Sequence, residues 1–156
     1  LFLIFATFSC SSGESEPELP TEGGPIPIAD LAGNWEAASA GFLRISDDLW
    51  VDIVEQGGSV SLTVQSSGRC TFTIGPVDRE VYTVSRKMSW GNYEGDEALT
   101  IVWDDSSDPD DRSYSRFFEI TDTTFDLACP SECVEYDFNN NGTFEIADLS
   151  FSLVRD

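Results

Sequence analysis

From Leu31 onward apolar residues recur at every second position, and turn-forming residues interrupt them at intervals of roughly eight to twelve residues. SVSLTVQ sets Val60, Leu62 and Val64 against Ser61, Thr63 and Gln65, and CTFTI does the same with Phe72 and Ile74. This is the period of a strand with one buried face. SSGR reads as the turn between these two, and Gly57 and Gly58 in EQGGSV stand where a tight hairpin needs positive φ. EVYTVSRKMSW, ALTIVW, YSRFFEI and TFDLA continue the series between GNYEGDE, DDSSDPDDR and TDT. No stretch carries the period of a long amphipathic helix. The pattern predicts an all-β fold, an antiparallel up-and-down β-barrel of about eight to ten strands, with a β-sandwich as the alternative.

The ends of the series are the most informative. The first strand opens ADLAGNWEAA, where Gly33, Asn34 and Trp35 form a G-x-W, and the last, LSFSLVRD, puts Leu149, Phe151, Leu153 and Arg155 on one face by alternation. An arginine on an apolar face either snorkels to water at the strand end or stacks on an aromatic ring. Together with WGNYEGDEALTI, these segments resemble the lipocalin-like domains of small bacterial lipoproteins, over residues 29–156. That resemblance implies a closed barrel with Arg155 packed on Trp35 at one end and a small apolar molecule as ligand. The chain departs from lipocalins in showing no helix between its last strands and in inserting DFNNNG, so the fold analogy names no particular ligand.

Ahead of this domain the composition changes twice. LFLIFATFSCSS resembles the hydrophobic and cleavage regions of a bacterial lipoprotein signal, with Ser9 before a lipidated Cys10. Thr7 and Phe8 differ from the usual lipobox, so an ordinary secretory signal is the alternative, and either one exports the domain. The segment 1–10 opens without a methionine or basic residues, so its true start is expected upstream, and it is too short to span a bilayer. Residues 11–28, rich in Ser, Glu, Pro and Gly, read as a disordered acidic linker.

A length of 156 residues at 40% hydrophobic and 12% aromatic content supports one core. Charge narrows the partners. With 29 acidic against 8 basic side chains, the net charge of -21 repels nucleic acid phosphates and anionic lipid headgroups. The expected protein is a monomer that binds no nucleic acid and meets a membrane only through its lipid anchor. Its place is the bacterial cell envelope, as an outer-membrane lipoprotein or in the periplasm. Export leads to an oxidising compartment where disulfides persist. If Cys10 carries lipid, then Cys70, Cys129 and Cys133 remain, and CPSEC points to a short Cys129–Cys133 bridge around a Pro130 turn, with a long-range bridge to Cys70 as the alternative. With no His and no second cysteine pair, the chain has no structural zinc motif.

One motif could hold a different metal. In YDFNNNGTFEIAD, Asp137, Asn139, Asn141, the Thr143 carbonyl and Asp148 have nearly the spacing of an EF-hand calcium loop, with Gly142 at the turn. Asp148 is shorter than the usual bidentate Glu, so the implied calcium site is weak. Three structures fit these residues: a plain hairpin turned by NNNG, a hairpin capped by calcium, and a dockerin-like loop followed by a helix.

Nothing in the chain points to catalysis. There is no His, no G-x-S-x-G and no lysine in a phosphate-binding motif, and among so many carboxylates a close pair carries no information. A binding protein, not an enzyme, is expected. The preferred reading is an exported, lipid-anchored barrel that binds a small apolar ligand or acts as an envelope interaction module. The alternative is a calcium-stabilised β-sandwich that binds carbohydrate through exposed aromatics drawn from Trp50, Trp90, Tyr93 and Trp103. The two differ in whether the large aromatics turn into one cavity or outward along one face.

Overall fold

A computed structural model of the chain describes residues 24, 26–93, 96–103, 112–115 and 117–156, with side chains at all of these except 92, 93, 96, 97, 102, 103, 112–115, 117, 118 and 130–133. The signal-like run, Cys10 and most of the acidic linker lie outside the described residues. A 3-10 turn, Ile28–Leu31, leads into β1 Gly33–Arg44, β2 Leu49–Asp52, β3 Ser59–Val64, β4 Arg69–Gly75 and β5 Tyr82–Tyr93. Then come β6 Asp96–Trp103, β7 Arg112–Ser115, β8 Phe117–Ile120, β9 Thr124–Tyr136 and β10 Glu145–Arg155. No helix among the described residues is long and apolar enough to cross a membrane.

All pairings are antiparallel, and the strands lie in the order β7, β6, β5, β4, β3, β1, β10, β9, β8, with β2 beside β1. Two passes of the chain are each broken into a pair of strands. Gly33–Glu36 of β1 pairs with β3 and Gly41–Arg44 with β2, so β2 and β3 share one edge of β1. Likewise β7 and β8 are separated by one residue, the first pairing with β6 and the second with β9. The two end strands of the sheet therefore follow each other in the chain. The sheet is curled into a half-barrel, the form of an open up-and-down β-barrel.

The break between β2 and β3 corrects one expectation. Gly57 has positive φ, at 92°, but Gly58 does not, and β2 and β3 are not paired with each other, so EQGGSV is not a tight hairpin turn. Asp52 is the reason. Its carboxylate accepts N–H bonds from Val54 at 2.9 Å, Glu55 at 3.1 Å and Ala40 at 3.3 Å, and the Ser39 hydroxyl at 2.6 Å, so the chain is drawn into a turn before β3 begins. GNYEGDE is also shorter as a connection than its composition indicates, because β5 runs to Tyr93 and β6 starts at Asp96.

Two irregularities set which side chains face inward. Ala37 pairs with Leu153 and Ser39 with Ser152, so β1 carries one extra residue there. Its buried positions change from odd (Trp35) to even (Ala40, Phe42) across this bulge. In β9, Cys129 pairs with Leu149 and Val134 with Ala147, so four residues, 130–133, stand opposite the single Asp148. CPSEC is thus a wide bulge inside a strand rather than a turn between strands.

One end of the barrel is plugged. Ile28, Leu31, Trp35 and Phe125 have no exposed surface, and the Trp35 and Phe125 rings meet edge to face at 5.8 Å. The Trp35 indole N–H donates to the Leu31 carbonyl at 2.9 Å. Arg155, directly opposite Trp35 in the register, holds its guanidinium carbon 4.4 Å from the Trp35 ring centroid and donates to the carbonyls of Asp30 at 2.8 Å and Ala32 at 3.3 Å. Three successive carbonyls at the end of the 3-10 turn thereby gain protein donors. Gly33 has a φ of 140°, which a side chain would resist. In the G-x-W, Gly33 turns the chain and Trp35 seals the floor.

Trp35→Ala should cost about 3–5 kcal/mol in urea unfolding. Arg155→Ala should cost less, and the double substitution should fall short of the sum by about 0.5–2 kcal/mol. Strictly additive losses would show that ring and guanidinium are not coupled.

Candidate ligand cavity and its rim

Above the plug the inward rows do not meet, and they leave a cavity of about 360 Å³. Its wall is built by alternation: Phe72 and Ile74 from β4, Tyr82, Val84 and Arg86 from β5, Ile101 from β6, Leu149 and Phe151 from β10, and Phe42 from β1. Cys129, Val134 and Glu135 flank the β9 bulge, and Phe144 leans in from the loop before β10. The lining is apolar with three polar exceptions, Tyr82, Arg86 and Glu135. Burial pushes the Tyr82 hydroxyl up to about 12, with Tyr136 and Asp137 adding to the shift and Arg79 opposing it. It is a neutral donor at every physiological pH.

A second, polar hollow of about 380 Å³ lies next to it, lined by Asp78, Arg79, Glu80, Tyr136, Asp137 and Asn140 and sharing Tyr82 and Phe144 with the first. Two arginines hold this rim together. Arg79, from the β4–β5 turn, donates to the Asp137 carbonyl and lies 5.5 Å from the Tyr136 ring centroid. Arg44, at the end of β1, bonds Asp47 at 2.7 Å and Glu145 at 3.1 Å while standing 5.2 Å from the Phe138 ring. Tyr136 in turn stacks on Phe42, 4.4 Å between ring centroids. The loop 137–144 is thus clamped to two neighbouring turns and to the cavity wall.

This is the loop whose residues were expected to bind calcium. The Asp137 carboxylate accepts N–H bonds from Gly142 at 2.9 Å and Asn141 at 3.2 Å, and the Asn141 side-chain oxygen accepts the Thr143 N–H at 2.7 Å. Asn140 and Gly142 have positive φ, as a tight hairpin loop requires. Asp148 lies inside β10, opposite Leu43, so β10 begins a strand where a dockerin-like loop would begin a helix. The structure therefore places Asp137, Asn141 and Thr143 in one turn closed by their own hydrogen bonds, with Asn139 exposed in the same loop. Among the described residues no three His, Cys, Asp or Glu side chains gather as a metal group.

The remaining candidates fall in different places. Cys129 is buried in the cavity wall and Cys70 is a buried thiol on β4, whereas the Cys133 side chain lies outside the described residues. Trp90 is buried near the plug and donates to the Ile26 carbonyl at 2.7 Å, and Trp50 lies half exposed on the outer face against Gly41. The side chains of Tyr93 and Trp103 lie outside the described residues. Arg86, Tyr82 and the two rim arginines escaped sequence reasoning. Arg86 alone left a signal there, standing in the inward row Tyr82, Val84, Arg86, Met88, Trp90.

Fold and cavity together define a class, an antiparallel barrel plugged at one end and open at the other to an apolar cavity. No family model, curated protein or solved structure matches the chain.

Burial pushes the Asp137 carboxyl up, but the N–H groups of Gly142 and Asn141 and the charge of Arg79 outweigh it, so its folded value lies below the ordinary range. Its contribution to stability is present above the unfolded value, near pH ~4, and is lost as pH falls through the lower folded value. Asp137→Ala should therefore lower the Tm at neutral pH and lose the advantage over acid pH that this carboxylate gives. Calcium and magnesium at equal ionic strength should raise the Tm alike, by screening the surface charge. A calcium-specific rise that disappears in Asp137→Ala would place the cation on this loop after all.

Proposed function

We propose that this is an exported, lipid-anchored barrel of the lipocalin-like kind whose cavity takes a small apolar molecule, by binding and without catalysis. The observation that carries the reading is the cavity itself: about 360 Å³, walled by aromatic and aliphatic side chains and bounded by only a few polar groups. The aromatics support it, since Phe42, Phe72, Tyr82 and Phe151 turn into this space and Trp50 alone of the described tryptophans is exposed. Exposed apolar residues also gather at the open end: Ile45, Leu49 and Trp50 after β1, Val77 and Val81 before β5, Phe144 before β10 and Ile146 at its start. Such a rim suits both entry of an apolar molecule and contact with an envelope partner.

The export and anchor rest on the sequence of residues 1–28, with lipid on Cys10 and the acidic linker as tether. In the cell envelope a bridge between Cys129 and Cys133 would fasten the β9 bulge beside the cavity; its support is their closeness in the sequence on that bulge, with Cys70 a thiol on another strand. The protein would act as a monomer, bind no nucleic acid and reach the membrane through its anchor alone.

N-Phenyl-1-naphthylamine, an uncharged dye that fluoresces in apolar surroundings, should bind the soluble domain one to one. Val84→Trp, which fills the space from one wall, should weaken it by about tenfold or more without lowering the Tm. Equal binding to both proteins would move the dye out of the cavity and remove the reading. Separately, protein expressed with a complete signal should partition into detergent and lose that property on Cys10→Ser. A water-soluble mature wild type would remove the lipid anchor.

A further inference from the structure

The polar hollow beside the apolar cavity contains a buried group that the protein itself does not satisfy. Tyr136 is 2% exposed. Phe42 stacks on its ring at 4.4 Å, Phe138 meets it edge to face at 5.0 Å and the Arg79 guanidinium lies 5.5 Å from its centroid, so what it presents to the hollow is its hydroxyl edge. That hydroxyl has no hydrogen-bond partner among the described residues, and neither has the hydroxyl of Tyr82, which lines both spaces. A buried phenol ordinarily finds one. Burial raises both phenols above the ordinary tyrosine value, so each O–H remains a donor.

Around these two donors the hollow offers both acceptors and further donors. Asp78 and Glu80 are exposed carboxylates on the β4–β5 turn, Asn140 has an amide that gives and accepts, and Arg79 keeps N–H groups beyond the one that donates to the Asp137 carbonyl. An anion placed here would meet the Asp78, Glu80 and Asp137 carboxylates on a chain of net charge -21. A cation would meet Arg79 and could accept nothing from the phenols. An uncharged group carrying several hydroxyls answers both sides, since each hydroxyl can donate to a carboxylate and accept from a phenol. Phe144, 54% exposed at the boundary, adds a flat apolar surface against which the C–H face of a sugar ring can pack.

We propose that the ligand is an amphiphile with an uncharged polyhydroxyl head, of the alkyl glycoside or glycolipid class, its chain in the apolar cavity and its sugar ring in the hollow against Tyr136 and Tyr82. The inference rests on the cavity reading and adds the head group to it. Continuity points to a single molecule. The cavity of about 360 Å³ and the hollow of about 380 Å³ share Tyr82 and Phe144, and Tyr82, apolar in its ring and polar at its tip, suits the boundary between them. Each volume lies within the roughly 300–1,000 Å³ of a small-molecule site. A wholly apolar ligand would fill the first space and leave the Tyr136 hydroxyl with nothing but water.

The test is displacement of N-phenyl-1-naphthylamine at neutral pH by octyl glucoside below its micelle threshold, and by octanol, octylamine and octanoate. Wild type should bind octyl glucoside about tenfold or more tightly than each of the other three. Octyl glucoside is more water-soluble than octanol, so apolar burial alone would rank it lower. Tyr136→Phe removes only the hydroxyl that lacks a partner, so the Tm should not fall. The same change should cut the preference for octyl glucoside about fivefold or more and move octanol by less than about twofold. Octyl glucoside binding no better than octanol, tighter binding of octylamine or octanoate, or a preference that survives Tyr136→Phe would overturn the head-group assignment and leave the cavity reading standing. Failure of octanol and of the dye itself would overturn the cavity reading together with it. If Tyr136→Phe does not fold, the wild-type ranking of the four compounds decides the matter alone.

Discussion

Three backbone carbonyls at the base of the barrel take their donors from two side chains, and the way they do so fixes much of the remaining structure. The 3-10 turn Ile28–Leu31 is buried through Ile28 and Leu31, so the Leu31 carbonyl lies away from water, while the Ala32 carbonyl is half-buried and Asp30 stands at the surface. Trp35 and Arg155 serve all three, and each can do so only from its own place in the register, where the two residues stand opposite each other. Once Arg155 is inward, alternation puts Leu153, Phe151 and Leu149 inward too. A floor made by one ring and one guanidinium thus selects the face that the last strand gives to the cavity. It also joins the first strand to the last, and that pairing makes neighbours of the two ends of the barrel sequence.

Where the cavity begins depends on two departures from regular pairing. Without the extra residue between Ala37 and Ser39, the parity set by Trp35 would carry Phe42 to the outside, and Tyr136 would lose the ring on which it stacks. The β9 bulge at residues 130–133 acts on the opposite wall. It lets Cys129 and Val134 both reach the cavity although five positions in the chain separate them, an odd number that strict alternation would place on opposite faces. Bulges of this kind bend a strand and raise its twist, which a curled sheet requires somewhere along its wall. The cost is a local loss of ladder hydrogen bonds.

The strands were legible because a half-buried strand writes its period directly into the sequence, and SVSLTVQ, CTFTI and LSFSLVRD each keep it without interruption. The breaks were not. Nothing in LWVDIVEQGG says that Asp52 will accept four hydrogen bonds and end a strand, since the donors come from Ser39 and Ala40 on another strand as well as from its own turn. The loop 137–144 was half legible: Asn140 and Gly142 announce left-handed backbone, but the same oxygen-rich spacing is read equally well as a cation site. Only the geometry shows the Asp137 and Asn141 oxygens accepting bonds from their own loop. Arg79 and Arg44 were invisible for the same reason as Asp52. An arginine's partners across a barrel mouth depend on which loops meet there, and alternation does not encode that.

The rim shows how charge and apolar surface divide the work in this molecule. A chain with 29 acidic side chains repels copies of itself, which lets it expose apolar residues that would otherwise promote association. Those residues are not scattered: of the large apolar side chains exposed among the described residues, all but Val154 stand on the turns at the open end or on the strand residues beside them. The β4–β5 turn contributes Val77 and Val81, the β1–β2 and β9–β10 connections contribute Ile45 and Phe144, and Leu49, Trp50 and Ile146 lie on the strands beside them. Arginines tie these connections to one another, Arg44 reaching from β1 to Glu145 and Phe138 and Arg79 reaching from the β4–β5 turn to Asp137 and Tyr136. Because guanidinium groups bond backbone and carboxylate oxygens while also lying over rings, they can secure loops whose outer surfaces stay apolar. The plugged end uses the same device, with Arg155 on Trp35. At both ends an arginine joins an aromatic ring to a backbone carbonyl, and the difference between floor and mouth is whether the 3-10 turn is there to fill the space between the strands.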